Sequence, residues 1–180
     1  MDEWTPRVKG YHCNEESKVN QFELGDLKSL KSTEDGKWLG SGVYFWDNYS
    51  NALYWKNQKE RKQKEKNFKV TTALLSLENL LDLTDLGDID FCLKVIDLLK
   101  RQGVTEFIEG EIGKNINVLF NFTKIFNKYD ILKSHGLYNK ELKTEFFVVN
   151  EKIPYLTTRV KTIYCVKNEK AIQQIKKVGE

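Results

Sequence analysis

Three short segments hold the residues whose types and spacing could do chemistry. Tyr11-His12-Cys13 sets an imidazole between a phenol and a thiol. A neutral imidazole both donates and accepts a hydrogen bond. The segment Leu39-Gly40-Ser41-Gly42-Val43-Tyr44-Phe45-Trp46-Asp47 crowds three aromatic rings together, and Trp55 follows shortly after. Aromatic faces stack on flat ligands, worth roughly 0.5–1.5 kcal/mol beyond the area they bury. Thr144-Glu145-Phe146-Phe147-Val148-Val149-Asn150 places a carboxylate at the start of a β-prone run. A strand holds such a group rigidly, and a fixed carboxylate stabilises positive charge that develops beside it. Each segment also has a purely structural reading. His12 could be an ordinary strand-end histidine, Tyr44, Phe45 and Trp46 could be core, and Glu145 could be a surface residue. What carries weight is the three together, in this order.

The elements that must position them follow from pattern. Lys9 to Cys13 reads as a short strand, residues 32–42 as a loop rich in turn formers, and Gly42 to Trp46 as a strand. Asp47 to Ser50 can cap a helix that starts near Asn51 and runs through a basic segment. Lys69 to Leu77 reads as a buried strand and Asn79 to Asp85 as a turn region. Ile89, Cys92, Leu93, Ile96 and Leu99 share one helical face, with Asp88 as cap and Gly103 as stop. A second helix is expected near 115–129, with Val118, Phe122, Ile125 and Tyr129 in register. Asp130 to Lys133 reads as a short strand and Ser134 to Lys143 as a polar loop, with His135-Gly136 in a turn. Strands are expected at Glu145 to Val149, continuing after a turn through Ile153 to Leu156, and at Arg159 to Val166. The tail from Asn168 to Lys177 reads as a short amphipathic helix. Short strands with helices clustered between them, rather than regular alternation, point to an α+β fold in a single domain over 1–180. Gly40-Ser41-Gly42 precedes a strand, so it is no dinucleotide fingerprint of the doubly wound kind.

Composition narrows the class. The 180 residues are 40% apolar and 12% aromatic, enough for a real core, and the 31% charged residues are mixed in sign. No apolar run is long enough to span a membrane. Met1-Asp2-Glu3-Trp4 is acidic, so no secretory signal is expected. Cys13, Cys92 and Cys165 lack metal spacing, and reduced thiols in a cytoplasmic protein with no metal are the simplest reading. The net charge is only +3, but residues 56–69 carry seven basic and two acidic side chains. That segment is either a solvated helix face or a patch that steers a polyanion.

Taken in order, the three segments resemble the His–Tyr–Glu class of ADP-ribosyltransferases, the fold shared by diphtheria-toxin-like toxins and poly(ADP-ribose) polymerases. The likeness spans about residues 8–166. It implies a split β-sheet core with helices inserted between and flanking the strands, and NAD+ as co-substrate. It implies that His12 bonds a ribose, that Tyr44 and Trp55 sandwich the nicotinamide ring, and that His12, Cys13, Gly42, Tyr44 and Trp55 contact the dinucleotide. Glu145 is then the carboxylate that stabilises the oxocarbenium-like transition state of N-glycosidic cleavage, so His12, Tyr44 and Glu145 form the catalytic set. Glu151 is a rival carboxylate, in the turn after the strand. Two departures from the family pattern stand out. Cys13 replaces the usual glycine whose backbone bonds the carboxamide, and its side chain could crowd the pocket. Lys143 stands where arginine-specific transferases carry glutamate, which disfavours arginine as acceptor and suits an anionic acceptor or a diphosphate.

The acceptor stays open between a protein and RNA or DNA, the nucleic acid drawing on the basic segment Lys56 to Lys69 and on the loop Lys31 to Leu39. The resemblance implies a bacterial intracellular toxin or phage-defence effector, held in check by an antitoxin or other inhibitory partner. Two rivals are an NAD+ glycohydrolase, with water as acceptor, and a non-catalytic module binding ADP-ribose or RNA. Product analysis separates the first from transfer; NAD+ left unconsumed marks the second.

Overall fold

The computed structural model describes residues 5–32, 38–138 and 158–177. Among these, the chain builds one mixed seven-stranded sheet and four α-helices, an α+β arrangement. In chain order they are β1 (Arg7–Glu15), α1 (Glu16–Glu23), β2 (Val43–Trp46), α2 (Tyr49–Lys62), β3 (Phe68–Ser76), β4 (Leu80–Asp82), α3 (Leu86–Arg101), α4 (Ile112–Phe122), β5 (Ile131–Leu137), β6 (Val160–Val166) and β7 (Ile172–Lys177). Across the sheet the strands run β4-β5-β6-β2-β1-β3-β7, and only β4 and β5 pair in parallel.

Strand alternation sorts the core. On β2, Val43 and Phe45 join Phe22 of α1, Leu75 of β3 and Ile131 of β5 in one apolar cluster. Tyr44 and Trp46 point to the opposite face, against the cluster built on α3, α4, Leu132 and Cys165. A third, smaller cluster sets Cys13 and Val70 under Ala52 of α2. The helix start at α2 is as expected: Asn48 accepts the Asn51 N–H at 3.0 Å.

The pairing of β1 is uneven. It matches β3 through nine consecutive residues, from Arg7 opposite Ser76 to Glu15 opposite Phe68. Against β2 it makes a single register pair, Tyr11 opposite Trp46. The sheet therefore parts between β1 and β2, beyond that pair.

Several sequence expectations give way. The tail is not a helix: after a short 3-10 turn, Ile172–Lys177 adds to the edge of β3. Its apolar spacing of three fits a helix, but the register shift opposite Leu74 and Leu75 puts both Ile172 and Ile175 against the first core cluster. An unpaired β3 edge gains a hydrogen-bonded partner that way. Ser134 to Leu137, expected as loop and turn, continue β5, because β6 offers a partner for seven residues, including Thr162 opposite His135. The second helix ends at Phe122, where Thr123 turns extended and its hydroxyl donates to the Leu119 carbonyl. A 3-10 turn, Lys124–Lys128, then buries Phe126 and leaves Phe122 and Ile125 about half exposed. Asp85 rather than Asp88 caps α3, accepting the N–H groups of Gly87 and Asp88. The strand expected at Glu145 to Val149, with Glu151 and Ile153 to Leu156 after it, lies outside the described residues.

Candidate functional site

A cavity of about 380 Å³ opens where β1 and β2 part. If the register of Tyr11 and Trp46 continued, Cys13 would face Tyr44. Side chains take both of their carbonyls instead. The Lys59 ammonium donates to the Cys13 carbonyl at 3.2 Å, and His12 Nδ1 donates to the Tyr44 carbonyl at 2.5 Å. Lys59 reaches across from α2, one helical turn beyond Trp55. A lysine and a histidine thus cap the backbone groups that a closed ladder would have used.

His12 is 7% exposed and rests against Phe45, with ring centroids 5.7 Å apart. Burial lowers its pKa from 6.5 to about 4, the Tyr44 carbonyl pulls the other way, and Lys59 adds to the lowering. The ring is therefore neutral at physiological pH. A carbonyl can only accept, so Nδ1 carries the proton and Nε2 is left as an acceptor. Nε2 has no hydrogen-bond partner among the described residues. A buried polar atom without a partner is costly and calls for an explanation, such as a ligand that supplies the missing donor.

Tyr44 presents its ring rather than its hydroxyl. The phenol donates to the Gly40 carbonyl at 2.5 Å and accepts the Leu39 N–H at 3.0 Å. The same loop is pinned from the other side. Lys167 donates to the Leu39 and Ser41 carbonyls at 2.6 and 2.7 Å, and Asn117 accepts the Ser41 N–H at 2.8 Å. Gly40 must be glycine here: its φ is +73°, and a Cβ would run into Asn117 and lie 2.7 Å from the Gly113 carbonyl.

The aromatic residues form a continuous stack. Trp55 lies on Trp46 with centroids 5.9 Å apart and planes at 16°, Trp46 meets Tyr138 edge-on, and Tyr138 stacks on Trp38. Trp38, Tyr44, Trp46 and Trp55 all line the cavity. Three lysines, Lys18, Lys31 and Lys59, line it too, and no carboxylate does among the described residues.

The structure thus brings His12, Cys13, Tyr44 and Trp55 to one cavity. Trp55 keeps a face on Trp46, while Tyr44 and Trp55, the two rings of the expected sandwich, both line the cavity. Gly42 is not in the lining; it exchanges two backbone hydrogen bonds with Ser32. Cys13 turns its thiol into the cluster under α2, where burial pushes its pKa up to about 11, so the thiol stays protonated. Its carbonyl is held by Lys59. Glu145 and Lys143 lie outside the described residues. The strand beside β2, Val160–Val166, carries no acidic residue.

The basic segment is less of a patch than its composition implies. Lys56, Lys66 and Lys69 pair with Glu60, Glu15 and Glu23, and Lys59 turns into the cavity, while Arg61, Lys62 and Lys64 stay exposed. Sequence reasoning missed Lys59 as a lining residue, although its i+4 spacing from Trp55 puts both on one helical face. Lys31 entered only as the start of the loop Lys31 to Leu39, and Lys18 gave no local signal, nor did the braces Asn117 and Lys167, which come from distant parts of the chain.

No known family model matches the chain, and no solved structure matches it. It is similar to an uncharacterized protein of the archaeon Methanocaldococcus jannaschii, MJ0359, at 25% identity over 190 aligned residues, covering 94% of this chain and 86% of that protein. No helix of the described residues is long and apolar enough to cross a membrane.

Proposed function

We propose that the chain is an NAD+-dependent ADP-ribosyltransferase. The observation that carries this reading is the convergence, in one cavity, of an imidazole whose acceptor nitrogen has no partner among the described residues, stacked aromatic rings and ammonium groups. Those three features match the three parts of a dinucleotide: ribose hydroxyl, flat base and diphosphate. The His–Tyr–Glu resemblance supports it further, since two residues that it singles out, His12 and Tyr44, both line the cavity.

In this reading His12 Nε2 accepts from a ribose hydroxyl, and the Tyr44 ring and the Trp46–Trp55 stack hold the nicotinamide. The bond between nicotinamide and ribose C1′ breaks, with its electron pair leaving on the nicotinamide ring. A nucleophile on the acceptor bonds C1′ and gives up its proton. Glu145 is assigned, by resemblance, the carboxylate that stabilises the oxocarbenium-like ribose and helps take that proton. Because β6 offers no acidic side chain, the carboxylate has to come from elsewhere, and Glu145 and Glu151 are to be tested separately. The acceptor is a protein or a nucleic acid, and an inhibitory partner would restrain the activity in the host cell.

The test is incubation of purified protein with NAD+ radiolabelled in its adenylate and a whole-cell extract, followed by separation into protein, RNA, DNA and free nucleotide. Label in one macromolecular fraction supports transfer and names the acceptor class. Label released only as free ADP-ribose would replace transfer with NAD+ hydrolysis, and intact NAD+ would leave a binding module.

A further inference from the structure

We infer that Lys59, flanked by Lys18 and Lys31, is the seat of a ligand's diphosphate, which makes this lysine a specificity-determining residue of the cavity. The inference deepens the NAD+ reading and rests on it. Lys59 is half-buried, with its ammonium over the face of the Phe68 ring, 5.6 Å from Nζ to centroid. Its hydrogen bond is to the neutral Cys13 carbonyl, and it has no carboxylate within ion-pair distance among the described residues. The nearby acids are already engaged: Glu15 with Lys66 and Glu60 with Lys56. Burial depresses its pKa most; Cys13 pulls the other way, the nearby Lys18 cation adds to the lowering and Glu15 opposes it, so its positive charge is held at a cost.

A half-buried ammonium with no carboxylate partner among the described residues, two further lysines in the same lining and no acid in the described lining describe a site for an anion with more than one charge. Ser29 and Ser32 line the cavity as well. The neighbouring rings decide which anion. Trp55 lies one turn from Lys59 on the same face of α2, so a phosphate on Lys59 sets an attached ring system beside the Trp46–Trp55 stack. A nucleoside diphosphate fits both halves; free pyrophosphate uses only the lysines.

The experiment is calorimetric titration of the whole protein with NAD+, ADP, AMP and inorganic pyrophosphate, for wild type, Lys59→Met, Lys59→Arg and Lys18→Met/Lys31→Met. The expected order for wild type is ADP tighter than AMP and tighter than pyrophosphate. Lys59→Met should weaken ADP and NAD+ roughly tenfold or more, as for loss of a charge-assisted hydrogen bond. Lys59→Arg should recover most of the loss, which a merely structural role for Lys59 would not require, and the double variant should flatten the salt dependence. If wild type binds NAD+ but Lys59→Met binds ADP and NAD+ unchanged, the phosphate seat is wrong and the NAD+ reading survives. ADP binding without NAD+ binding keeps the seat and removes the NAD+ reading. Binding of neither overturns both.

Discussion

His12 Nδ1 donates to the main-chain carbonyl of Tyr44 across the gap between β1 and β2. The bond joins the first and second segments that the sequence singled out. It fixes the imidazole tautomer, keeps the two strands apart at the cavity, and leaves Nε2 as an acceptor. The consequences can be measured.

The first concerns pH. The folded-state pKa of His12 is lowered from 6.5 to about 4. Above pH 6.5 both folded and unfolded chains hold it neutral, and its titration does not change stability. Between pH 6.5 and 4 the unfolded chain takes up a proton that the folded chain refuses, so stability falls as pH falls, by about 3 kcal/mol in total. Urea melts of wild type against His12→Asn across this range should show the variant losing less stability on acidification. Parallel pH profiles would mean that His12 is accessible to protons in the folded state.

The Tyr44 hydroxyl and ring have separable duties. Tyr44→Phe removes the contacts to Leu39 and Gly40 and should cost about 1–2 kcal/mol of stability, while NAD+ affinity changes little. Tyr44→Ala should weaken NAD+ binding as well. Equal affinities for wild type and Tyr44→Ala would count against stacking on this ring.

Gly40 and Gly25 both have positive φ, at 73° and 104°, but differ in surroundings. Nothing lies within 4 Å of a Cβ at Gly25, whereas one at Gly40 meets Asn117 and the Gly113 carbonyl. Gly25→Ala should cost about 1 kcal/mol from backbone strain alone, and Gly40→Ala about 2 kcal/mol or more. Chemical denaturation of the two variants decides it; equal costs would mean that the loop yields.

The β-branched and aromatic runs at 43–46, 69–77 and 160–166 made their strands legible, since neighbours on both sides only reinforce the local preference. The tail misled because Ala171, Ile172 and Ile175 suit a helical face as well as a strand with a register shift, and only the open β3 edge chooses. The site was legible where one residue type has one use, as with His12 and Tyr44. It was illegible where position depends on long-range packing. Nothing near Lys18 or Lys31 in sequence says that they line one cavity with Trp55, and the parting of β1 from β2 is a property of two strands about thirty residues apart. Lys59 looked like one charge in a solvated run until α2 turned it inward.

The proposed chemistry is cleavage of NAD+ in this cavity, with Glu145 as the charge-stabilising group. The most direct test is nicotinamide release at saturating NAD+ by wild type, Glu145→Gln and Glu151→Gln, with NAD+ binding measured alongside. Glu145→Gln should fold, bind NAD+ within a few-fold of wild type, and lose roughly a hundredfold or more of the rate, the loss expected when a group that stabilises transition-state charge is removed. Glu151→Gln should keep its rate. Full activity in Glu145→Gln, or no release by wild type under any acceptor condition, would contradict it.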